Sequence, residues 1–582
     1  MSRARESSCQ GLTFPLNVYA RVLELAEGRA ENLHYGLFDQ EHQSVPAAQA
    51  RSTELVFEQL PPPPCRILEV GCGLGSTLRA LAERGYLSAG ITPDPEQIQI
   101  ARERVGDKAR LECVAFEDLD VKPASFEVIL LQESAQYLDP LALFNKAYQL
   151  LAGNGRLLVL DEVALRRTGP GRDNLHRLPY LLNQAARCGF VLEQQTDLSR
   201  QAAPTLDYLL AAIAQHRTAL RADLALSEAT LDELLASLAR YRRQYADGNY
   251  GYVLLRWRRG PAPRWRVTAA TAADEPAIRQ LFEQVFGRPM SSALLQWKYG
   301  DGRGQAMLAG GEGRLAAHYG GVSRPIRYFG RSALACQITD VMVAPAERGV
   351  LTRRGPFFLT AATFAEHFLG FGTRHLLGFG FPNLRAMRVA ERLGLYAEVG
   401  QMLEVYWPPR RASRAWLITR RRLAKADAAD LDRWVNPCWE AMQADLQAAI
   451  VGVRDAAWLR HRYLSHPDQD YHVMLVSSRL WSRPLGVIVL RRDDQRCELL
   501  DVVAPLKNIP RLVRAARHVA SQWAVTELYG WVSSAFAPLF ERCEGQRRNL
   551  DVSIPTSRWC EGPSPAELRD RWWLMSGDTD FR

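Results

Sequence analysis

Residues 66–75 have the sequence RILEVGCGLG, which joins an apolar run to a glycine-rich turn. The next residues, 76–84, suit a helix. A strand, a glycine-rich turn and a helix in this order favour a Rossmann-like α/β fold, in which ligands bind beyond the carboxyl ends of parallel strands. Glycines permit a tight turn and close approach of a ligand, and the first amides of the helix are free donors.

Further apolar segments follow at the spacing that such a fold requires. We predict strands at 87–92, 109–114, 126–131, 155–160, 189–193 and 252–257. Each is a short apolar run bounded by turn-forming or polar residues, which is the pattern of a buried strand. Residues 206–250 are helical in pattern and partly apolar, so we expect them to cap a pocket or to pack on the sheet.

The G-x-G-x-G spacing after an acidic residue resembles motif I of class I S-adenosylmethionine-dependent methyltransferases. The resemblance extends over most of residues 30–259. It implies S-adenosylmethionine as the cofactor, with Gly71, Gly73 and Gly75 passing under its methionine part. It also implies that Glu69 lies near the amino end of the cofactor.

The second predicted strand carries the next pair of candidate cofactor contacts. Residues 90–92, Gly-Ile-Thr, followed by Gln97, resemble a stretch of cyclopropane-fatty-acid synthases and tocopherol-type methyltransferases. That likeness implies that Thr92 and Gln97 contact the adenosine. Most relatives place an acidic ribose ligand at the end of this strand, whereas this chain has Thr92 and then Asp94, so the ribose ligand stays open.

The adenine end of the cofactor and its cover come from two other segments. Many relatives have an aspartate near adenine where this chain has Ala115, which leaves Phe116 and Glu117 as the candidates. Residues 34–36, His-Tyr-Gly, resemble the N-terminal segment that covers the cofactor in related enzymes. By that resemblance Tyr35 is a lid residue.

Methyl transfer needs a positioned acceptor, and it needs a base where the acceptor holds its proton tightly. Glu133 and Tyr137 follow the fourth predicted strand, where polar residues face the ligand crevice. Glu133 is a candidate to accept a proton or to hold an acceptor amine, and equally a hydrogen-bonded loop carboxylate. His34 is a second candidate base, with a purely structural histidine as the alternative.

Residues 337–349, QITDVMVAPAERG, resemble strand four and motif A of the GNAT acetyltransferases. The resemblance implies that acetyl-CoA phosphates bind the loop that follows. Two glycines of the family's loop are replaced, by Leu351 and Arg353, whose side chains could obstruct those amides. The candidate coenzyme A contacts in this loop are Arg348, Gly349, Arg353, Arg354 and Gly355.

Later segments of this half match the GNAT pattern in part. Asn383 matches motif B and is a further candidate cofactor contact, but the family's acid-donating tyrosine falls on Ala390. Asp340 is either a base or a hydrogen-bond partner at the end of its strand. Residues 413–582 resemble a second GNAT-like fold in a tandem arrangement, without a glycine-rich loop after residues 504–505.

Two proline-containing breaks divide the chain. They are RRGPAPR at 258–264 and WPPRR at 407–411, because proline lacks an amide donor and resists regular pairing. We therefore predict a methyltransferase domain at 1–259, a GNAT-like domain at 265–406 and a degenerate GNAT-like domain at 413–582. The predicted fold class is α/β: a Rossmann-like methyltransferase domain followed by two GNAT-like α+β domains.

Composition narrows the setting of the protein. The 582 residues carry a formal net charge of +9, a mild excess that favours acidic small molecules over nucleic acid, which we do not expect as a partner. Ten scattered cysteines without a CxxC pair fit reduced thiols in a cytoplasm and predict no metal site. No apolar run approaches the ~20 residues of a membrane span, and residues 1–10 lack a signal peptide's apolar region.

Two functions from different classes fit these observations. The first is methyl transfer to a small molecule or to an intermediate of a glycan, lipid or secondary metabolite, with or without coupled acetyl-CoA-dependent N-acylation. In the second, the GNAT-like half is catalytically silent and binds a substrate or partner for the methyltransferase. Methylation of RNA or protein is a third hypothesis, which only the basic charge favours. The acceptor and the oligomeric state stay open.

Overall fold

The computed structural model describes residues 11–166, 175–311, 313–410, 418–423, 428–479 and 483–579. The chain forms two compact units, Met1–Arg264 and Trp265–Arg582. The prediction on residues 1–10 and the last residue of the second linker, Arg411, lie outside the described residues. In the described part, no helix has the length and apolar character to cross a membrane.

The first unit is built on one seven-stranded sheet with the order β3-β2-β1-β4-β5-β7-β6. β1, β2, β3, β4 and β5 run parallel, and β7 is antiparallel to both of its neighbours. The strands are β1 (Arg66–Val70), β2 (Leu87–Thr92), β3 (Arg110–Cys113), β4 (Phe126–Gln132), β5 (Leu151–Ala164), β6 (Phe190–Asp197) and β7 (Tyr250–Arg259). The predicted Rossmann-like α/β sheet is confirmed.

Ten helices are described in this unit, and their starts follow local signals. Asp94 caps the helix after β2 by accepting from the amides of Glu96 and Gln97, and Pro95 occupies its first turn. The helices are α1 (Leu16–Glu27), α2 (Val45–Phe57), α3 (Ser76–Glu83), α4 (Pro95–Val105), α5 (Pro140–Leu150), α6 (Leu178–Arg187), α7 (Ser199–Ala202), α8 (Pro204–Gln215), α9 (Arg217–Leu224) and α10 (Glu228–Ala246).

One apolar core joins the central strands to the helices of the first unit. Ile67 of β1, Leu130 of β4 and Leu160 of β5 pack in the same cluster as Leu206 of α8 and Leu231 of α10. The segment 206–250, expected to cap a pocket or to pack on the sheet, therefore contributes to the core. Because the parallel strands all end at one edge, their carboxyl-terminal loops are brought together there.

The second unit contains two sheets of seven strands each. In the first, the path is β12-β11-β10-β15-β21, with β9 also on β10 and β8 on β9; in the second, the order is β14-β16-β17-β18-β19-β13-β20. The strands are β8 (Arg266–Ala269), β9 (Gly304–Gly311), β10 (Arg314–Tyr328), β11 (Arg331–Val343), β12 (Leu377–Phe379), β13 (Tyr396–Trp407), β14 (Ile418–Arg422), β15 (Ile450–Gly452), β16 (His472–Ser478), β17 (Pro484–Asp493), β18 (Arg496–Val503), β19 (Glu527–Ser533), β20 (Gln546–Ser557) and β21 (Trp572–Trp573).

A strand–helix–strand arrangement with parallel strands occurs once in each sheet, as β11–α13–β12 and as β18–α17–β19. This repetition supports the prediction of two related folds in the second unit. The helices are α11 (Glu275–Phe286), α12 (Ser292–Tyr299), α13 (Pro356–Phe368), α14 (Leu384–Arg392), α15 (Ala428–Asp445), α16 (Ala456–Leu459), α17 (Ile509–Gln522), α18 (Ala537–Glu541) and α19 (Pro565–Leu568).

The two halves of the second unit exchange strands. β13, which lies before the second linker, pairs with β19 and β20 of the later half. Conversely, β15 of the later half pairs with β10 of the earlier half, and β21 of the later half pairs with β15. The division at residues 406 and 413 stays a prediction about sequence modules, because the sheets themselves draw strands from both sides of it.

Candidate active site

A cavity of about 1020 Å³ opens at the carboxyl ends of the central strands of the first unit. Ligand pockets usually measure about 300–1,000 Å³, so this one has room for a nucleotide-sized cofactor and a second molecule. All but one of the candidate residues predicted for the first unit line it. These are His34, Tyr35, Glu69, Gly71, Gly73, Thr92, Gln97, Phe116, Glu117, Glu133 and Tyr137, with Gly75 in the adjoining turn.

The three glycines of the turn between β1 and α3 share a backbone conformation but differ in the space around them. All three have positive φ, at 72° for Gly71, 50° for Gly73 and 80° for Gly75, a conformation that side chains disfavour. A Cβ on Gly71 would lie 2.5 Å from Ser134, and one on Gly75 would lie 2.9 Å from Val105. A Cβ on Gly73 would meet nothing within 4 Å, so Gly73 is the glycine that leaves space beside the cavity.

Glu69 is a buried acid at the end of β1 with spare hydrogen-bonding capacity. Only 3% of the residue is exposed, and burial raises the pKa of its carboxyl group to about 8, opposed by a hydrogen bond from Thr77. Its Oε2 has no hydrogen-bond partner among the described residues. Because an unpartnered buried carboxylate is costly, this atom suits the ammonium group of the cofactor's methionine part.

Thr92 and Gln97, the predicted adenosine contacts, lie together in the structure. The Thr92 hydroxyl donates to Gln97 Oε1 at 3.1 Å, and both residues line the cavity. Asp94, the open candidate for the ribose, also lines it, but its Oδ1 accepts the amides of Glu96 and Gln97. These hydrogen bonds at the start of α4 fix one oxygen of the Asp94 carboxylate. A contact between Asp94 and the ribose stays a prediction.

The remaining candidates differ in how far they reach into the cavity. Phe116 is buried, Glu117 is exposed, and both lie on the cavity wall after β3. Tyr137 is 78% exposed, so it stands at the mouth rather than against a reacting atom. These positions agree with Phe116 as a packing surface for an adenine ring and leave Tyr137 without a catalytic contact.

Glu133 is held rigidly under the cavity. Its φ is 58°, and its Oε1 accepts the Tyr35 amide at 2.5 Å and the Tyr252 hydroxyl at 2.8 Å. Burial raises the pKa of the Glu133 carboxyl group well above its usual value, and the neighbouring Glu162 adds to this. Glu133 is therefore a hydrogen-bonded loop carboxylate, which was one of the two alternatives from the sequence. The other alternative, contact with an acceptor, stays a prediction for its second oxygen, Oε2.

His34 is buried and Tyr35 is half-buried. The His34 ring contacts the Tyr35 carbonyl at 3.0 Å and the Thr53 hydroxyl at 3.3 Å, and burial lowers its pKa to about 4. A neutral, weakly basic ring in these contacts favours the structural role over the role of a base. The Tyr35 ring stacks on Tyr252 with centroids 5.6 Å apart and covers the cavity floor.

Sequence analysis missed two acids and two tyrosines near Glu133. β5 continues four residues beyond its predicted end, so Asp161 and Glu162 are buried strand residues. Glu162 accepts the Tyr245 hydroxyl at 2.5 Å and the Tyr241 hydroxyl at 3.3 Å. Two adjacent acids directly after an apolar strand were the available signal.

Burial shifts these acids toward neutrality. It raises the pKa of Asp161 to about 7 and that of Glu162 to about 7. Asp161 accepts the amides of Ala135 and Gln136 at 2.7 and 3.2 Å, which fixes the loop that carries Glu133. A carboxyl group with a pKa near neutrality exchanges a proton readily at physiological pH, which suits Glu162 to acid–base work in the cavity that it lines together with Glu133.

The loop after β11 in the second unit is closed by its own turns. The amides of Val350, Leu351 and Gly355 donate to carbonyls within the loop, at 3.5, 3.2 and 2.9 Å. Pro356, the first residue of α13, has no amide hydrogen. A Cβ on Gly355 would lie 2.0 Å from the Val350 carbonyl, so the loop backbone packs against the helix start where a pyrophosphate would need free donors.

The other predicted coenzyme A contacts also have protein partners. Arg348 Nε donates to the Val343 carbonyl at 3.2 Å, and the Arg354 amide donates to the Thr352 hydroxyl at 3.2 Å. The Arg353 guanidinium lies over the Trp559 and Phe358 rings, 5.4 and 5.8 Å from their centroids. Gly349 has open space around it, and the Asn383 side chain caps α14 through the Ala386 amide.

Asp340 is a strand-end hydrogen-bond partner rather than a free base. Its carboxylate contacts Lys298 Nζ at 2.8 Å and accepts the Tyr299 hydroxyl at 2.8 Å. Burial alone would raise the pKa of Asp340, but the Lys298 ammonium outweighs this effect and holds that pKa below its usual value. The carboxylate therefore keeps its charge as part of a buried ion pair.

Comparison with known proteins assigns the two units. Residues 68–159 match the model of a methyltransferase domain family, and residues 266–355 match that of an acetyltransferase (GNAT) domain family. The first unit therefore contains a SAM-dependent methyltransferase domain, and the second unit contains a GNAT-like module. The methyltransferase match spans β1 to β5, and the GNAT match ends at Gly355, the residue that caps α13.

Individual relatives are similar to the first unit. A 27-O-demethylrifamycin SV methyltransferase from Amycolatopsis mediterranei is 26% identical over 260 residues, 41% of this chain and 93% of that protein. A ubiquinone biosynthesis O-methyltransferase from Idiomarina loihiensis is 32% identical over 97 residues, 16% of this chain and 40% of its own length. The solved cyclopropane synthase MmaA2 of Mycobacterium tuberculosis is 17% identical, covers 44% of this chain and 96% of its own, and has a TM-score of 0.38.

Proposed function

We propose that the first unit methylates a small molecule bound beside S-adenosylmethionine in the 1020 Å³ cavity. The observation that carries this proposal is the pairing of two features at one edge of the sheet. One is the cofactor side, with Glu69 and Gly73, and the other is the acid and tyrosine floor formed by Glu133 and Glu162. The matched relatives are named for small-molecule substrates, which supports the same class of acceptor.

The chain's own residues divide the work. Glu69 binds the cofactor's ammonium group, Gly73 leaves room for its methionine part, and Thr92 with Gln97 binds the adenosine. S-Adenosylmethionine supplies the methyl group as a sulfonium. Glu133 orients the acceptor and takes its proton, since its Oε1 is fixed by Tyr35 and Tyr252 while its Oε2 stays available.

The test is methyl transfer by the full chain to three model acceptors of one shape: 4-phenylphenol, 4-phenylpiperidine and 4-phenylbutyric acid. We expect Glu133→Gln to lower kcat on the accepted compound about 100-fold, the scale of general-base catalysis, while S-adenosylmethionine affinity changes less than about 3-fold. Loss of kcat and of cofactor affinity together would indicate a structural role. Full activity of Glu133→Gln would remove it from the mechanism.

For the second unit, the closed loop favours a binding module over an acyltransferase. The amides of Val350, Leu351 and Gly355 are engaged within the loop, and the Arg353 guanidinium lies over the Trp559 ring. The second unit therefore has a GNAT-like fold, but the loop expected to bind coenzyme A is closed by its own hydrogen bonds. We infer that this half holds the acceptor, or a partner that delivers it, instead of acylating the acceptor with acetyl-CoA.

A further inference from the structure

Two carboxyl groups on the cavity floor of the first unit have only neutral partners. Glu133 contacts the Tyr35 amide and the Tyr252 hydroxyl through Oε1. Glu162, 7% exposed, accepts hydroxyls from Tyr241 and Tyr245. Within the described part of the chain, no arginine, lysine or histidine forms an ion pair with either acid.

Tyrosine rings surround the space above these acids. The cavity is lined by Tyr19, Tyr35, Tyr137, Tyr208 and Tyr241. The faces of aromatic rings carry negative partial charge and attract cations, by about 2 kcal/mol where water is excluded. The acids and the aromatic rings both attract positive charge, so this end of the cavity suits a cation.

The other charged groups around the cavity do not neutralise the floor. Glu31 pairs with Arg79 at 3.0 Å, and Arg240 and Glu233 are exposed residues of α10 that line the cavity. Asp94 and Glu117 lie on the cofactor side, and Asp161 lies behind the floor, held by backbone amides. His34 is the nearest basic side chain on the covering segment, and it is neutral because burial lowers its pKa to about 4.

We propose that the methyl acceptor is an amine, which enters as an ammonium ion and is held by Glu133 and Glu162 among the tyrosine rings. This inference rests on the proposed methyl transfer and adds the substrate class to it. With a neutral alcohol or phenol as acceptor, burial would keep both carboxyl groups protonated, and a protonated carboxyl group cannot take the acceptor's proton. A cationic acceptor supplies a counter-ion and allows both carboxyl groups to ionise.

The transfer step balances with these groups alone. The ammonium ion gives one proton to a carboxylate of the floor, which leaves a neutral amine with a free electron pair. That pair forms a bond to the methyl carbon of S-adenosylmethionine as the carbon–sulfur bond breaks, and the electrons of that bond stay on sulfur. The products are an N-methylammonium ion, the neutral thioether S-adenosylhomocysteine and a protonated carboxyl group.

The experiment compares two probes of one shape and different charge on the full chain saturated with S-adenosylhomocysteine. The probes are 4-phenylpiperidine, a cation at pH 7.5, and 4-phenyltetrahydropyran, its neutral ether counterpart. We expect calorimetry to give about 10-fold or tighter binding of the amine, equivalent to about 1.4 kcal/mol. We also expect mass spectrometry to detect N-methylation of the amine when S-adenosylmethionine replaces the product.

Two variants decide the cause of that preference. Glu162→Gln is expected to reduce the amine preference to within about 3-fold while S-adenosylhomocysteine affinity is retained, which also shows that the variant is folded. The matched control is Glu103→Gln, an exposed acid of α4 outside the cavity, which should keep the full preference.

The outcomes separate the two proposals. Normal S-adenosylhomocysteine binding with equal affinity for amine and ether, or with methylation of 4-phenylphenol alone, would overturn the amine assignment and leave methyl transfer standing. Failure of the wild-type chain to bind S-adenosylhomocysteine would overturn the proposed methyl transfer itself, and the amine assignment with it.

Discussion

The two units each place a loop after a buried strand, and the two loops differ in what they leave available. In the first unit, the turn after β1 leaves open space at Gly73 and an unpartnered oxygen on Glu69. In the second, the loop after β11 uses its own amides for turns and packs Gly355 against the Val350 carbonyl. A family resemblance is therefore informative about fold in both cases, whereas the two loops differ in how many of their own groups the protein already engages.

The largest expected effect comes from filling the open space in the first loop. Gly73→Arg should abolish S-adenosylmethionine binding, with a loss of more than about 100-fold, because the side chain occupies the cofactor's place and φ is positive there. Gly248→Arg is the matched control, since Gly248 also has positive φ, 69°, with nothing within 4 Å of a Cβ, and lies outside the cavity. Calorimetric titration of both variants measures the difference; equal affinities in two folded variants would sink the assignment of the loop.

A smaller loss is expected when Glu69 loses its charge. Glu69→Gln should weaken S-adenosylmethionine binding about 10- to 100-fold, because a hydrogen bond to a charged group contributes about 1.5–3 kcal/mol. The effect should be largest for ligands that carry the ammonium group and near zero for adenosine alone. Equal weakening of adenosine and S-adenosylmethionine would mean that the variant distorts the loop instead of removing one contact.

The smallest effect concerns pH and stability. The folded-state pKa values of Glu69, Asp161 and Glu162, about 8, 7 and 7, lie above the usual carboxyl values, so folding favours the protonated forms. The first unit is therefore expected to lose stability as pH rises from about 4.5 through 8, and to melt a few degrees lower at pH 8 than at pH 5.5. Differential scanning calorimetry of the full chain identifies this transition by its shift with S-adenosylhomocysteine.

Glu69→Gln provides the internal check on that pH dependence. With one raised carboxyl group removed, the fall in melting temperature between pH 5.5 and pH 8 should become shallower. A melting temperature that rises over this range in the wild-type chain would contradict the buried, protonated state of these acids.

Local pattern was enough to predict the strands and turns of the first unit. β1, β2 and the glycine turn were found because apolar runs and glycines signal their own structure. β5 was ended at Leu160, four residues early, since Asp161 and Glu162 have the polarity of a loop. Only the tertiary packing shows that distant tyrosines form hydrogen bonds with Glu162 inside the sheet, as Tyr241 does from 79 residues away.

The second unit shows the same limit at the level of strands. The sequence predicted a GNAT-like domain at residues 265–406, but nothing in residues 396–407 indicates that β13 joins the sheet of the later half. Likewise, the replacements at Leu351 and Arg353 raised doubt about the coenzyme A loop. The engagement of its amides is a property of the backbone, which no single residue reveals.

The most direct test of the difference between the two loops is one calorimetric experiment on the full chain, titrated first with S-adenosylmethionine and then with acetyl-CoA. We expect one binding event for S-adenosylmethionine, and for acetyl-CoA no heat of binding at concentrations up to about 1 mM, where a Kd corresponds to about 4 kcal/mol. Micromolar binding of acetyl-CoA that persists in Gly73→Arg would contradict the account, because it would place a working cofactor loop in the second unit.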